Sequence, residues 1–149
     1  LWGLAHDWDA ALRQRALRVE LDIAGDLPDV KTDPALVQEI LTELIDNAAY
    51  LFAKRPLEID AQAEKLLDPS GRATLAGLLP RLEAISSWSV TALEEGVRAF
   101  AEESGIKLGK VAQPLRAALT GRSTSPGIFD VLDALGREES LARLRDQAG

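Results

Sequence analysis

The sequence predicts an all-α protein of two small packed helical subdomains, residues 1–86 and 87–149, dividing near Ser86. Three observations carry this. Apolar residues recur at helical spacing over most of the chain, clearest from Leu36 to Ala48. Helix start and stop signals, Asp33-Pro34 at one extreme and Ser104-Gly105 and Gly121 at the other, divide it into helix-sized pieces. Strict alternation of apolar and polar residues is confined to one short stretch, Val19–Ile23.

The first expected helix runs from Trp8 to Arg18, with Asp7 as its cap and Trp8, Leu12 and Ala16 on one face. Val19–Ile23 reads as a short strand, and Ala24–Asp29 as a turn-rich connector. The next helix has Asp33 as cap and Pro34 at its first position, where the missing amide hydrogen costs nothing. Leu36, Val37, Ile40, Leu41, Leu44, Ile45 and Ala48 form a stripe wide enough to face a core, and the helix is expected to reach about Lys54 before Arg55-Pro56. Asp60–Leu67 and Pro69–Ile85 read as two more helices, the latter kinked or interrupted at Pro80. Thr91-Ala-Leu-Glu94 reads as a capping box opening a helix to Glu103, with Leu93, Val97 and Phe100 inward and Ser104-Gly105 as the stop. Three short helices follow. One includes Val111–Leu119, one is capped by Ser125 with Pro126 first and ends at Gly136, and one runs from Glu138 to about Asp146.

Composition narrows the chemistry. The chain has 149 residues, 46% of them hydrophobic and 28% charged, as in soluble globular domains. No apolar run approaches the length of a membrane span, and no signal or transit peptide is visible, so a cytoplasmic protein with no membrane partner is expected. There is no cysteine, hence no disulfide and no thiolate metal site, and the single histidine, His6, excludes most zinc sites. A chain that begins at Leu1 and lacks methionine is expected to be a piece of a longer protein or a designed sequence. The net charge of −7 argues against indiscriminate coating of nucleic acid.

Charge is unevenly distributed, however. From Ser104 to Phe129 there is no acidic residue, while Lys107, Lys110, Arg116 and Arg122 are basic; the remaining sequence holds all 24 acids against 13 bases. A cationic island in an anionic protein draws a polyanion to one place and repels it elsewhere.

Leu108-Gly-Lys-Val-Ala-Gln-Pro-Leu-Arg-Ala-Ala-Leu-Thr-Gly121, Ser125-Pro-Gly-Ile-Phe129 and Leu135-Gly-Arg-Glu-Glu-Ser-Leu-Ala-Arg-Leu144 closely resemble the C-terminal end of bacterial glutamyl-tRNA synthetases. The resemblance extends upstream to Tyr50-Leu-Phe, Ala63-Glu-Lys-Leu-Leu-Asp68 and Trp88-Ser-Val-Thr-Ala-Leu-Glu-Glu, so it covers about residues 50–148 and leaves 1–48 divergent. It implies the helical anticodon-binding region of a class I aminoacyl-tRNA synthetase, with the anticodon loop of tRNA-Glu as partner and the catalytic domain upstream in the parent chain. The parent would use ATP and Mg; this piece implies no cofactor of its own. Synthetases of this class carry a His-Ile-Gly-His-like motif and a Lys-Met-Ser-Lys-Ser-like loop on a dinucleotide-type fold, and neither motif occurs here. No catalysis is expected from this chain.

Reading splayed-out loop bases requires planar donors, fixed backbone turns and small apolar faces. Arg116 supplies a guanidinium fork and Gln113 a donor–acceptor pair. Pro126 and Ile128 supply apolar faces beside a helix N-terminus whose amides favour phosphate. The resemblance places Arg98, Arg116, Pro126 and Ile128 where the family's anticodon contacts lie, with Ile128 where leucine is frequent. Lys107, Lys110 and Arg122 are candidate phosphate contacts. The alternative for Arg116 is a structural salt bridge; Pro114 is a packing candidate, and Leu115, Leu119 and Phe129 are assigned to the core. The family's arginine for the first anticodon base has no clear counterpart, Arg55 and Arg81 being the two candidates.

Two other readings stand beside this one. Glu43-Leu-Ile-Asp-Asn-Ala48 resembles the helix motif of histidine-kinase and gyrase-type ATPases, in which an acid such as Glu43 acts on water and an asparagine such as Asn47 holds Mg²⁺. The downstream Asp-x-Gly-x-Gly turn and glycine-rich lid of those enzymes do not occur, and Glu43, Asp46 and Asn47 equally suit the solvated side of an amphipathic helix. The last alternative is a helical scaffold that keeps family-like residues without RNA affinity.

Overall fold

The computed structural model describes residues 33–149, and among these every regular element is helical. The helices are α1 (Pro34–Ala48), α2 (Ala61–Leu66), α3 (Pro69–Ala84), α4 (Val90–Glu103), α5 (Leu108–Thr120) and α6 (Ile128–Ala148), with a 3-10 turn at Ala49–Phe52. His6, the helix expected from Trp8 and the strand expected at Val19–Ile23 lie outside the described residues. None of the described helices is long and apolar enough to cross a membrane.

The chain divides into two compact units, residues 1–48 and 49–149. This boundary is not the one expected near Ser86. Leu75, Leu78 and Leu82 of α3 share one core with Leu93 and Val97 of α4, Val111, Leu115 and Leu119 of α5, and Val131, Leu132 and Leu144 of α6. The connector at Ser86 looks like a linker in sequence, but the helices on either side bury their apolar faces against each other.

Within the first unit, α1 starts as expected: the Asp33 carboxylate accepts from the Ala35 amide at 2.9 Å. It stops at Ala48 instead of near Lys54, giving way to the 3-10 turn. Leu36 and Ile40, on the stripe expected to face a core, are 51% and 49% exposed. Periodicity shows that a helix has an apolar face; it does not show what covers it.

In the second unit the caps decide where helices begin. Asp60 accepts from the amides of Gln62 and Ala63, and Asp68 from that of Gly71, opening α2 and α3. Ser89 caps α4 through the Ala92 amide, so the helix begins earlier than the expected Thr91 box. Pro80 does not interrupt α3. Pro80 and Ala76, four residues before it, are both exposed, so water can take up the carbonyl that the missing amide leaves unpaired. The helix α5 likewise runs through Pro114 and closes at Gly121, whose φ of 72° lies in the left-handed region. Gly136, with φ 74° and ψ 169°, breaks α6 into the two expected segments. Beside that break, the Leu132 carbonyl accepts from Trp88 Nε1 at 2.9 Å and from Ser140 Oγ at 3.3 Å, while Arg137 donates to the carbonyls of Glu83 and Ile85 at the end of α3.

One charged side chain sits at the centre of this packing. Arg143 is 1% exposed. Its guanidinium donates to the carbonyls of Leu119 (2.7 Å), Tyr50 (2.8 Å) and Ala53 (3.1 Å), and to Glu139 (2.6 Å). It thereby ties the 3-10 turn and the C-terminal turn of α5 to α6. A buried guanidinium is tolerated only with such a full set of acceptors.

Candidate nucleic-acid interface

The candidate site is built on α5 and the loop after it. Helical spacing puts Gly109, Gln113 and Arg116 on one side of α5. Gln113 is exposed and Arg116 half-buried, while Val111, Leu115 and Leu119 on the other side are fully buried. Lys107 and Lys110 project from the first turn and are exposed. The core therefore turns the polar side of α5 outward, so that Lys107, Lys110 and Gln113 of the acid-free segment are exposed, with Asp60 and Asp130 the carboxylates that approach it at the loop.

The loop at 121–127 is fixed where it leaves α5. A side chain on Gly121 would run into the carbonyl of Glu58, and the Asp60 amide donates to the Gly121 carbonyl at 3.0 Å. Thr120 Oγ1 donates to the Arg116 carbonyl at 2.9 Å and accepts from the Arg122 amide at 3.2 Å. Pro126 is left exposed.

Arg116 is joined to this loop by one bond, from its Nε to Ser125 Oγ at 2.9 Å. It makes no ion pair among the described residues, so the salt-bridge alternative finds no partner there. No buried side-chain nitrogen or oxygen of the described residues lacks a partner. The two terminal nitrogens of Arg116, which bond to no described residue, are therefore within reach of solvent.

The structure thus brings Gln113, Arg116 and Pro126 to one surface but treats the other expected residues differently. Ile128 is 6% exposed and belongs to the core; it presents no face to a ligand, because the first turn of α6 directs it inward beside Val131 and Leu132. The cap of α6 is Gly127, not Ser125, and Asp130 stands in its first turn. A carboxylate at that end opposes the phosphate binding expected of its amides. Arg98, on α4, is held by Glu94 through Nε (2.8 Å) and Nη2 (2.6 Å). Arg122 lies 3.7 Å from Asp60. The Arg98–Glu94 pair is exposed, and the exposed Arg122 can leave Asp60, which its cap bonds hold in place, so a phosphate can compete for either arginine at little cost. Arg55 faces Asp146 at 3.3 Å and Glu139 at 3.6 Å, and Arg81 pairs with Glu103. Leu115 and Leu119 are core residues as expected, and Phe129 packs against them half-buried. Ser125 is not legible in the sequence as an arginine partner, since a serine before proline reads as a helix cap.

Electrostatics links the site to the fold at Asp60. Its carboxyl titrates below its ordinary value of 3.8, chiefly because the Ala63 amide donates to it, with smaller contributions from Gln62 and from Arg122 nearby. The folded carboxyl holds its proton less tightly than the unfolded one, so the stability it adds is present above pH 4 and lost as pH falls through the folded value. Asp60→Asn keeps a capping side chain but removes the charge. Melting curves against pH should show wild type above the variant at pH 7, with the gap closing below about pH 4.

The family model for an anticodon binding domain matches residues 37–148. The chain belongs to that family. Among the relatives of this anticodon-binding domain, the glutamate–tRNA ligase 1 of Beijerinckia indica subsp. indica is 66% identical over 109 residues, 73% of this chain and 23% of that protein. Glutamate–tRNA ligase 1 of Methylobacterium sp. is 55% identical over 146 residues, 98% of this chain and 28% of that protein. The anticodon-binding domain thus spans about a quarter of the length of these relatives. A solved glutamate tRNA ligase from Elizabethkingia meningosepticum superposes with a TM-score of 0.65 over 95% of this chain and 28% of its own; at 18% identity it supports the fold alone. The domain assignment includes Glu43 and Asn47, so the ATPase-like motif lies within an anticodon-binding domain. Among the described residues there is also no sheet of the kind that ATPase requires.

Proposed function

We propose that this domain binds the anticodon loop of tRNA-Glu, as the C-terminal part of a cytoplasmic glutamate–tRNA ligase whose catalytic domain, using ATP and Mg²⁺, lies upstream. The observation that carries the reading is the state of Arg116. Its guanidinium is tethered through Nε while its terminal nitrogens bond to no described residue, on a segment that carries no acidic residue from Ser104 to Phe129. Those nitrogens can donate side by side to the edge of an unstacked base or to a phosphate. Gln113, three residues earlier on α5, adds a donor and an acceptor for a neighbouring base edge. Pro126 offers a small apolar face on which a base can rest. Lys107 and Lys110 attract the backbone without reading sequence, and Arg98 and Arg122 join them once released from Glu94 and Asp60.

Titration of the 149-residue chain with the anticodon stem-loop of tRNA-Glu tests this. Saturable binding that weakens as salt rises, and that exceeds binding to an unrelated stem-loop, is the expected result. Equal affinity for both stem-loops leaves only charge attraction and contradicts a reading site.

A further inference from the structure

We infer that Ser125 is a positioning residue for Arg116, selecting the edge of the guanidinium that meets RNA; this rests on the proposed role of Arg116. A guanidinium has two donor edges, one side-on through Nε and one end-on through the terminal nitrogens. The side-on edge is already engaged, since Nε donates to Ser125 Oγ at 2.9 Å. The hydroxyl has a single hydrogen, and that hydrogen is directed to the Pro126 carbonyl at 2.9 Å. What Ser125 turns toward Arg116 is therefore acceptor only, and the bond has one polarity.

Both ends of this bond are anchored without any ligand. The backbone at Arg116 lies in α5, and its carbonyl receives Thr120 Oγ1 at 2.9 Å. The loop carrying Ser125 begins at Gly121, which is held by the Asp60 amide and pressed against the Glu58 carbonyl. A long side chain that would otherwise sample many rotamers is thus committed before RNA arrives. The gain is preorganisation: less freedom is lost on binding, and the end-on edge is the one presented. A phosphate can accept from almost any approach, whereas a base edge requires two donors in one plane and one direction. The effect of Ser125 should therefore fall on discrimination as well as on affinity.

The test uses the full chain, with the tRNA-Glu anticodon stem-loop and an unrelated stem-loop as probes. Ser125→Thr and Ser125→Val compare side chains of nearly one shape, only the first with a hydroxyl. Expected are wild-type affinity within about twofold for Ser125→Thr and an affinity lower by about three- to tenfold for Ser125→Val, the worth of one hydrogen bond. Affinity for the unrelated stem-loop and the melting temperature should stay unchanged in both. In an Arg116→Ala background Ser125→Val should add nothing, since the residue acts only through that arginine. If Arg116→Ala weakens binding but Ser125→Val does not, positioning is overturned while the RNA-reading role of Arg116 stands. A Ser125→Val loss that persists in full without Arg116 also overturns it, because the serine then acts alone. If Arg116→Ala itself has no effect, the proposed site and this inference fall together.

Discussion

Arg143→Met lowers the free energy of unfolding by about 3–5 kcal/mol, the usual cost of breaking a buried, fully hydrogen-bonded charge. The methionine fills much of the volume but donates nothing. The carbonyls of Leu119, Tyr50 and Ala53, which now accept at 2.7, 2.8 and 3.1 Å, lose that donor, and Tyr50 keeps only the longer 3.4 Å bond from the Ala53 amide. Each unsatisfied buried carbonyl costs about 1–3 kcal/mol, and those nearest the surface regain part of this from water. Glu139, the fourth partner, is partly exposed and remains solvated. The comparison is Arg55→Ala, which removes exposed pairs with Asp146 and Glu139 and should cost less than about 1 kcal/mol. Urea unfolding of the two variants checks this, and equal losses would show that Arg143 has no special place in the packing.

Gly121→Ala is expected to destabilise by about 2–3 kcal/mol, two effects acting together. The left-handed backbone at φ 72° costs about 1–2 kcal/mol for a residue with a Cβ. That Cβ also meets the Glu58 carbonyl, a backbone group that can give way only by moving the 58–60 segment. Such movement loosens the bond from the Asp60 amide to the Gly121 carbonyl, worth about 1 kcal/mol. The consequence reaches the proposed site, because Ser125 and Pro126 hang from the same turn. RNA affinity should therefore fall even at temperatures where the variant stays folded. Thermal melts and stem-loop titration measured side by side separate the two losses.

Much of this architecture is legible in the sequence because caps and helical periodicity are local. Asp33, Asp60 and Gly121 mark ends that the structure keeps, and the Leu93–Val97 spacing points to the side that is buried. What escapes a sequence reading depends on distant partners. Ser125 can cap a helix or receive an arginine, and only the position of Arg116 on a neighbouring element decides between them. Nothing local marks Arg143, between Leu141 and Leu144, as the point on which the carbonyls of Leu119, Tyr50 and Ala53 converge. Ile128 reads as a ligand face because it follows Pro126-Gly127, yet its place in the first turn of α6 sends it inward. Ser86 looks like a boundary because an interface between helices leaves no mark on the connector joining them. Side-chain chemistry alone marks a cationic stretch with Gln113, Arg116 and Pro126 in it; the family resemblance adds Arg98 and the anticodon as what these residues meet.

The most direct measurement is the affinity of the tRNA-Glu anticodon stem-loop for wild type, Arg116→Lys and Arg116→Ala. Lysine keeps the charge but lacks the planar pair of donors and the Nε that Ser125 holds. Both variants should lose about 1–3 kcal/mol of binding, with lysine recovering little of it. Full recovery by lysine, or no loss with alanine, would contradict a guanidinium that reads the loop.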